Sequence, residues 1–299
     1  MAFVLPSRDP ILVLGGTGKI GKRIADNLAS AAIPTLVASR SGEAPSNQWL
    51  TGVKFDWFDK STWENPWKAA GEHAVRAVHI IAPPIVDSFD LMKEFVDMAL
   101  TKGTRRFILQ SGSPLEAGDD KLGMGLLHEY VRKLGTEGKA DWAALRPTWF
   151  MENFSEVQSH IDSINNEHRI YSATDKGQVP FVSADDVAEC AVVLLTQPAP
   201  PHTEYLLVGP KHMTYDEVAQ IIGELVGKRI KHDHLTDQQF QDRMVSLGMP
   251  EDLAQVLAEY EHRIALQKER HSNETIQNLL GRKPTCFRTV AEKVKEVWI

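Results

Sequence analysis

The residues with the most evident chemistry are Gly15-Gly16-Thr17-Gly18-Lys19-Ile20-Gly21. They follow a short apolar run, Ile11-Leu12-Val13-Leu14, and open a stretch of helical periodicity from Lys19 to Ala32. A strand, a glycine-rich turn and a helix N-terminus in this order form an anion site. Bare backbone N–H groups and the positive end of the helix dipole converge on one point. Gly16 lets the backbone approach a pyrophosphate, Gly18 continues the tight turn, and Gly21 lets the helix pack on the strand. Gly15, Thr17, Lys19 and Ile20 complete the expected lining. Such a turn alone also serves ordinary chain reversal, so the next strand decides what it holds.

That strand, Pro34 to Ala38, runs into Ser39-Arg40-Ser41. Folds that bind NAD place an acid about 20 residues after the turn to hold the ribose 2′-hydroxyl. A guanidinium in that place pairs with a 2′-phosphate, which an acid would repel. The expected cofactor is therefore NADP(H), with Ser39, Arg40 and Ser41 on its 2′-phosphate. A third strand, Gly52 to Asp56, ends in an acid. Asp56 beside Trp57 suits the adenine edge, and Trp57 equally suits the core.

These residues need a scaffold that aligns strand ends, and the chain alternates apolar runs with helical patterns as a parallel sheet with crossover helices requires. A fourth strand, Ala77 to Ala82, stops at Pro83-Pro84. An amphipathic helix follows over 87–102, then strands at Arg106 to Gln110 and Asp141 to Leu145, with a helix from about Leu126 to Leu134 between them. Beyond these, Asn153 to Asn165 reads as a helix and Arg169-Ile170-Tyr171 as a small separate element. Phe181-Val182 reads as a return to the sheet, Asp185 to Thr196 as a covering helix, and Glu204 to Gly209 as one more strand. Thr214 and Glu217 have capping-box spacing. The fold expected is α/β: a Rossmann-type doubly wound parallel sheet with a smaller, mostly helical C-terminal substrate domain. The nucleotide domain takes 1–150, its sheet completed by about 180–210, and the substrate part takes 151–179 and 211–299. Ligands of open parallel sheets lie beyond the carboxyl ends of the strands. That places Ala82, Pro83 and Ser111 on the cofactor, and Pro147 and the residues after it in the same cleft.

Composition sets the class. The chain has 299 residues, 42% of them hydrophobic, as in an ordinary globular enzyme. A net charge of -7 argues against nucleic acid as a partner. Cys190 and Cys286 are far apart, without metal-site spacing, which suits a reducing compartment. The first ten residues hold only a four-residue apolar run, so neither a leader nor a membrane span is expected there. The expected location is cytoplasmic and the expected partner a small-molecule substrate, with a homodimer left open. His232-Asp233-His234 has metal-ligand character, but alternation on a short strand with no third ligand nearby reads as a solvated face, so no metal is expected.

Longer stretches carry a family likeness. Leu145-Arg146-Pro147-Thr148-Trp149-Phe150-Met151-Glu152-Asn153-Phe154, Val179-Pro180-Phe181-Val182-Ser183-Ala184-Asp185-Asp186-Val187-Ala188 and Gly281-Arg282-Lys283-Pro284, with the glycine turn and Arg40, resemble the NmrA-like atypical short-chain dehydrogenases. More narrowly, the chain is similar to the festuclavine/agroclavine dehydrogenases of fungal ergot alkaloid biosynthesis. The resemblance runs from about Ile11 to Phe287 and implies a Rossmann fold, NADPH, and hydride delivery to a small electrophile.

A proton donor is harder to find. Short-chain dehydrogenases use Tyr-x-x-x-Lys, but the fourth residue after Tyr130 is Leu134, and Lys133 points off the required helix face. Many NmrA-like reductases carry a lysine where this chain has Met124 or Gly125, neither of which gives a proton. An iminium carbon needs none, because hydride addition yields a neutral amine. The expected reaction is therefore NADPH-dependent reduction of a C=N or conjugated C=C of a small secondary metabolite. Trp149, Phe150, Asn153 and Tyr171 would shape the substrate pocket. The competing readings are a carbonyl or quinone-methide reductase with Ser111, His128, Tyr130 or Tyr171 as acid, an NADP-binding redox sensor without turnover, and a non-redox cyclase or isomerase.

Overall fold

The computed structural model describes residues 8–118 and 123–299. The first apolar run forms β1 (Ile11–Leu14), followed by α1 (Lys19–Ser30), β2 (Thr35–Ser39), β3 (Leu50–Lys54), α2 (Asn65–Ala70), β4 (Ala77–Ile81), α3 (Phe89–Thr101), β5 (Arg106–Gln110), α4 (Gly123–Thr136) and β6 (Asp141–Pro147). Then come α5 (Asn153–Glu156), α6 (Gln158–Asp162), β7 (Arg169–Ser172), α7 (Ala184–Thr196), β8 (Thr203–Leu207), α8 (Tyr215–Val226) and β9 (Lys231–His234). The chain ends in α9 (Asp237–Ser246), α10 (Glu251–Ala265), α11 (Thr275–Leu280) and α12 (Phe287–Val294).

The main sheet has seven strands in the order β3-β2-β1-β4-β5-β6-β8. Pairing from β3 through β6 is parallel throughout, with Leu14 opposite Ala38 and Ile81 opposite Gln110. The order reverses at β1, the switch point beside which such sheets take their ligands. Strand β1 is buried at every position, as helices on both faces of a parallel sheet require. Below β4 an aromatic cluster fills the core: Phe55, Trp57, Trp63 and Trp67 gather around Phe95, with Trp63 and Trp67 fixing the segment before and within α2. Trp57 is thus a core residue, its indole N–H donating to the Ile81 carbonyl at 3.2 Å.

The chain divides into two compact units. The first is Met1–Arg146 with Val187–Tyr205, and the second is Pro147–Asp186 with Leu206–Ile299. In the second unit, Phe154, Phe181, Tyr215 and Phe287 pack edge to face. Around them lies a core that takes in Ile170, Val218, Ile222, Ile264 and Trp298. Strand β7 pairs in parallel with β9 as a separate two-stranded sheet. The Thr214 capping box is present in full, with its side chain 3.1 Å from the Glu217 N–H and Glu217 Oε2 2.9 Å from the Thr214 N–H.

Two sequence expectations fail here. The helix read over Asn153–Asn165 breaks at Val157, whose φ of -96° and ψ of 116° are extended, and it ends as a π-helical turn over 163–167 closed by left-handed His168. Phe181-Val182 is not a sheet strand. Val182 makes an isolated parallel bridge to Phe150, so β8 alone completes the main sheet after β6. Apolar periodicity marked both segments as buried but carried no information about their partners.

Candidate active site

The glycine turn occupies the carboxyl end of β1 and leads straight into α1. Gly15 adopts a φ of +63°, and the Gly18 N–H closes the turn on the Gly15 carbonyl at 2.9 Å. Helix α1 starts at Gly18 with no side-chain cap and no acid in its first turn. Its N-terminal dipole is thus left to an anion. Packing explains the glycines: a Cβ on Gly21 would stand 2.2 Å from the Gly15 carbonyl oxygen, and one on Gly16 2.6 Å from Val37. Thr17 and Gly18 are exposed, Gly15 and Lys19 half-buried, and Ile20 buried beneath them. These residues fit the diphosphate of a nicotinamide dinucleotide.

Strand β2 delivers the next group. Ser39 is buried, its hydroxyl 3.2 Å from that of Ser41 and accepting the Gly42 N–H at 3.1 Å. This pins the turn that carries Arg40, whose side chain is exposed and pairs with no carboxylate among the described residues. Beside it the loop over 42–52 lines a hollow of about 560 Å³. Asp56 accepts the Phe58 N–H at 2.9 Å and sits half-buried at the end of β3. Ala82 and Pro83 turn the chain off β4. Ser111 follows β5, its N–H bonded to the Leu145 carbonyl and its hydroxyl buried without a partner.

A family comparison settles the lineage. The model of the NmrA-like family matches residues 7–292. The chain belongs to the NmrA-like family.

Within the family, the chain is 39% identical to festuclavine synthase I of Penicillium roqueforti over 97% of its own length and 99% of that protein. It is 35% identical to agroclavine dehydrogenase of Claviceps fusiformis over 97% and 98% of the two chains. In fold it matches the Citrobacter triphenylmethane reductase complexed with NADP(H), with a TM-score of 0.74 at 22% identity over 95% and 99% of the two chains. Full-length kinship to synthases and dehydrogenases makes the chain an oxidoreductase of this family, with a nicotinamide cofactor. Among the described residues, no helix is long and apolar enough to cross a membrane.

Residues of the family motifs hold the second unit together. In the second unit, buried Glu152 accepts the Ser183 hydroxyl at 2.9 Å and the Ala184 N–H at 2.8 Å, fixing the start of α7. Buried Asp186 accepts the Thr285 N–H at 2.6 Å and hydroxyl at 2.8 Å and pairs with Arg282 at 2.8 Å. The three distant stretches that carry the likeness are therefore joined in the fold.

The candidate acids fare unevenly. Tyr130 donates its phenol to Asp97, and Lys93 lies 4.8 Å over its ring. Burial and this carboxylate push its pKa well above the ordinary tyrosine range. His128 is fully buried, with Nδ1 3.5 Å from Glu204. Glu204 also takes Arg146 at 2.7 Å, and the neighbouring His128, followed by Arg146, holds its carboxyl below the usual range against burial. Within α4, His128 is thus packed beside Glu204 and Tyr130 is tied to Asp97. Ser111 and His128 both keep polar atoms without a hydrogen-bond partner, and of the two only Ser111 lies at a strand end.

The residues expected to shape a substrate pocket lie in the second unit. Pro147 ends β6 and is buried. The backbone of Trp149 to Met151 is fixed by Val182, whose N–H donates to Trp149 and whose carbonyl accepts from Met151, both at 3.0 Å. Trp149 is half-buried on the second unit's core, Phe150 is half-buried, and Asn153 opens α5. Tyr171 sits on β7 instead, donating to Glu167 at 2.6 Å with Arg243 stacked 3.9 Å over its ring. The structure does not group it with the other three.

Two residues escaped the sequence reading. Ile81, the last residue of β4, is 37% exposed and touches the space Gly15 leaves open. An apolar residue just before the Pro83-Pro84 break was the available signal. His79 is fully buried on β4, and burial lowers its pKa to about 4 against the Gln110 side chain and the Leu14 backbone. It is therefore a neutral ring under the glycine turn, which no sequence pattern distinguished from a surface histidine.

Proposed function

We propose that this chain is an NADPH-dependent reductase that passes hydride to an electrophilic C=N or conjugated C=C of a small, cationic or nitrogen-containing secondary metabolite. The observation that carries the cofactor choice is Arg40, exposed at the end of β2 beside the glycine cradle, where an NAD enzyme carries an acid. When bound, the nicotinamide supplies the hydride. Gly15 to Gly21 hold the diphosphate, Ser39, Arg40 and Ser41 the 2′-phosphate, and Asp56, Ala82, Pro83, Ser111 and Pro147 border the remainder. Trp149, Phe150 and Asn153 offer an aromatic, polar-edged surface for a flat cation, favoured by the ring quadrupole. For an iminium substrate the chemistry asks little of the protein's protons, while a conjugated C=C takes up one proton, from solvent, after the hydride. Hydride addition to an iminium leaves a neutral amine, so positioning does the work. The tied phenol of Tyr130 and the buried ring of His128 suit that economy. The festuclavine and agroclavine enzymes among the relatives point to the same substrate class.

Ser111 favours a second reading, carbonyl or quinone-methide reduction, because its buried free hydroxyl could donate to a developing oxyanion. NADPH oxidation by the purified protein with a preformed cyclic iminium, an enone and a ketone separates the two. We expect kcat/KM for the iminium to exceed that for the ketone at least 100-fold, with Ser111→Ala nearly neutral. A ketone preference abolished by Ser111→Ala would establish the second reading, and NADPH binding without oxidation of any compound would defeat both.

A further inference from the structure

The second unit brings together three side chains that have no part in the dinucleotide site. Asp216, in the first turn of α8, faces His232 and His234 on β9, and one ligand atom from each lies within 4.8 Å of the other two. His232 Nδ1 is 3.5 Å from Asp216 Oδ1, and His234 Nε2 is 3.6 Å from Asp216 Oδ2. A tetrahedral zinc with bonds of about 2.0–2.1 Å needs ligand atoms about 3.4 Å apart. The two carboxylate oxygens thus stand at zinc-site spacing from one nitrogen of each ring, with no hydrogen bond linking His232 Nδ1 to anything.

The outer contacts point the same way. The His232 side chain is fully buried, and its other nitrogen, Nε2, lies 2.7 Å from the Ser172 hydroxyl. Ser172 in turn lies 2.7 Å from the Thr174 hydroxyl. When Ser172 donates to Thr174 and accepts from Nε2–H, Nδ1 presents a lone pair toward the carboxylate. His234 repeats the pattern: its non-facing Nδ1 is 3.4 Å from Asp175. Metal-binding histidines are oriented in this manner, one nitrogen on the ion and the other on a hydroxyl or carboxylate. The carboxylate between the two histidines in sequence is not available, because Asp233 is bound to Arg169. A hollow of about 660 Å³ lined by Asp216 and His232 gives an ion access and leaves room for water as a further ligand.

We propose that Asp216, His232 and His234 form a site for a divalent transition metal of the zinc class, clamping β9 to α8. Two imidazoles and one carboxylate suit zinc and its cobalt and nickel surrogates over magnesium or calcium, which prefer all-oxygen shells. The sequence expectation of no metal rested on the lack of a third ligand near His232-Asp233-His234, and α8 supplies it.

The test uses the untagged full-length protein, stripped with chelator and titrated with Zn²⁺ by calorimetry, and with Co²⁺ by visible absorption. We expect one saturable equivalent of Zn²⁺ and the intense visible bands of four-coordinate Co²⁺. His234→Ala and Asp216→Asn, both at exposed positions and checked for native circular dichroism, should weaken Zn²⁺ at least 100-fold and abolish the cobalt bands. Ser172→Ala, which leaves the three ligands in place, should weaken it about 10- to 100-fold. Absence of saturable Zn²⁺ binding, or binding that both ligand variants retain at wild-type strength, would overturn the site. So would several weak equivalents insensitive to all three substitutions.

Discussion

The first unit places its candidate functional groups on the ends of continuous parallel strands, whereas the second hangs its candidates on short, interrupted elements tied by buried polar contacts. Strands β1, β2, β4 and β5 carry Gly15, Ser39, Ile81 and Ser111 at neighbouring ends. In the second unit, Glu152, Asp186 and Glu261 are buried carboxylates. Each is held by backbone or side-chain donors from distant stretches of chain. A strand-end site tolerates sequence change as long as its backbone path survives. A site held by buried carboxylates depends on single atoms.

The backbone path of the first unit is most severely tested at Gly21. A side chain there meets the Gly15 carbonyl oxygen, so Gly21→Val must push α1 off the turn. The expected result is a loss of NADPH affinity beyond 100-fold, seen by fluorescence titration, with destabilisation of about 1–3 kcal/mol in denaturant melts. Unchanged affinity would mean that the helix N-terminus is not the diphosphate site.

The same contrast explains what was legible in the sequence. Runs such as Ile11–Leu14 and Arg106–Gln110 announced their strands because full burial on a parallel sheet leaves an unbroken apolar signature. The glycine turn and Arg40 were legible because backbone chemistry fixes their spacing from the strand before them. In the second unit the decisive relations are long-range. Nothing near His232 reveals Asp216, nothing near Glu152 reveals Ala184, and the break at Val157 left no mark in the apolar pattern. The carboxylates beside His128 and Tyr130 were equally illegible, since a polar type says nothing about the group it is folded against.

Acidity and alkalinity should load the units in opposite directions. His79, with a folded pKa of about 4 against 6.5 unfolded, stays neutral while the unfolded chain takes up a proton. Its contribution is therefore lost as pH falls from 6.5 toward 4, by up to about 3 kcal/mol. Glu261 is fully buried, with its pKa raised to about 8 from 4.5, chiefly by burial. Its neutral form favours the fold below pH 4.5, and that contribution is lost as pH rises through 8, by a few kcal/mol in order of magnitude. Urea melts across pH should show Glu261→Gln flattening the alkaline slope and His79→Leu flattening the acid one. If either substitution left its limb unchanged, that group would not be the one that titrates.

At the cofactor, the contrast between a cradle of backbone and a grip by one charge sharpens at Arg40. Arg40→Asp removes the guanidinium and adds a repelling carboxylate, while leaving the turn intact. NADPH affinity should fall about 100-fold, in line with loss of a charge-assisted phosphate contact. NADH affinity should change less than threefold. Equal losses for both would remove the 2′-phosphate assignment and leave only the dinucleotide.

The smallest effect is expected at Tyr130, and it bears most directly on the chemistry. Its phenol is spent on Asp97 of α3, and the carboxylate together with burial makes the proton harder to release. Tyr130→Phe should cost about 1 kcal/mol of stability through that lost hydrogen bond. Its kcat/KM for iminium reduction should stay within threefold of the unaltered protein. A general acid contributes about 100-fold or more to a step that needs its proton. A fall of that size on Tyr130→Phe, with NADPH affinity unchanged, would mean that the phenol leaves Asp97 during turnover and that the protein protonates its substrate after all. Near-neutrality would leave positioning of cofactor and substrate, rather than proton transfer, as the source of the rate.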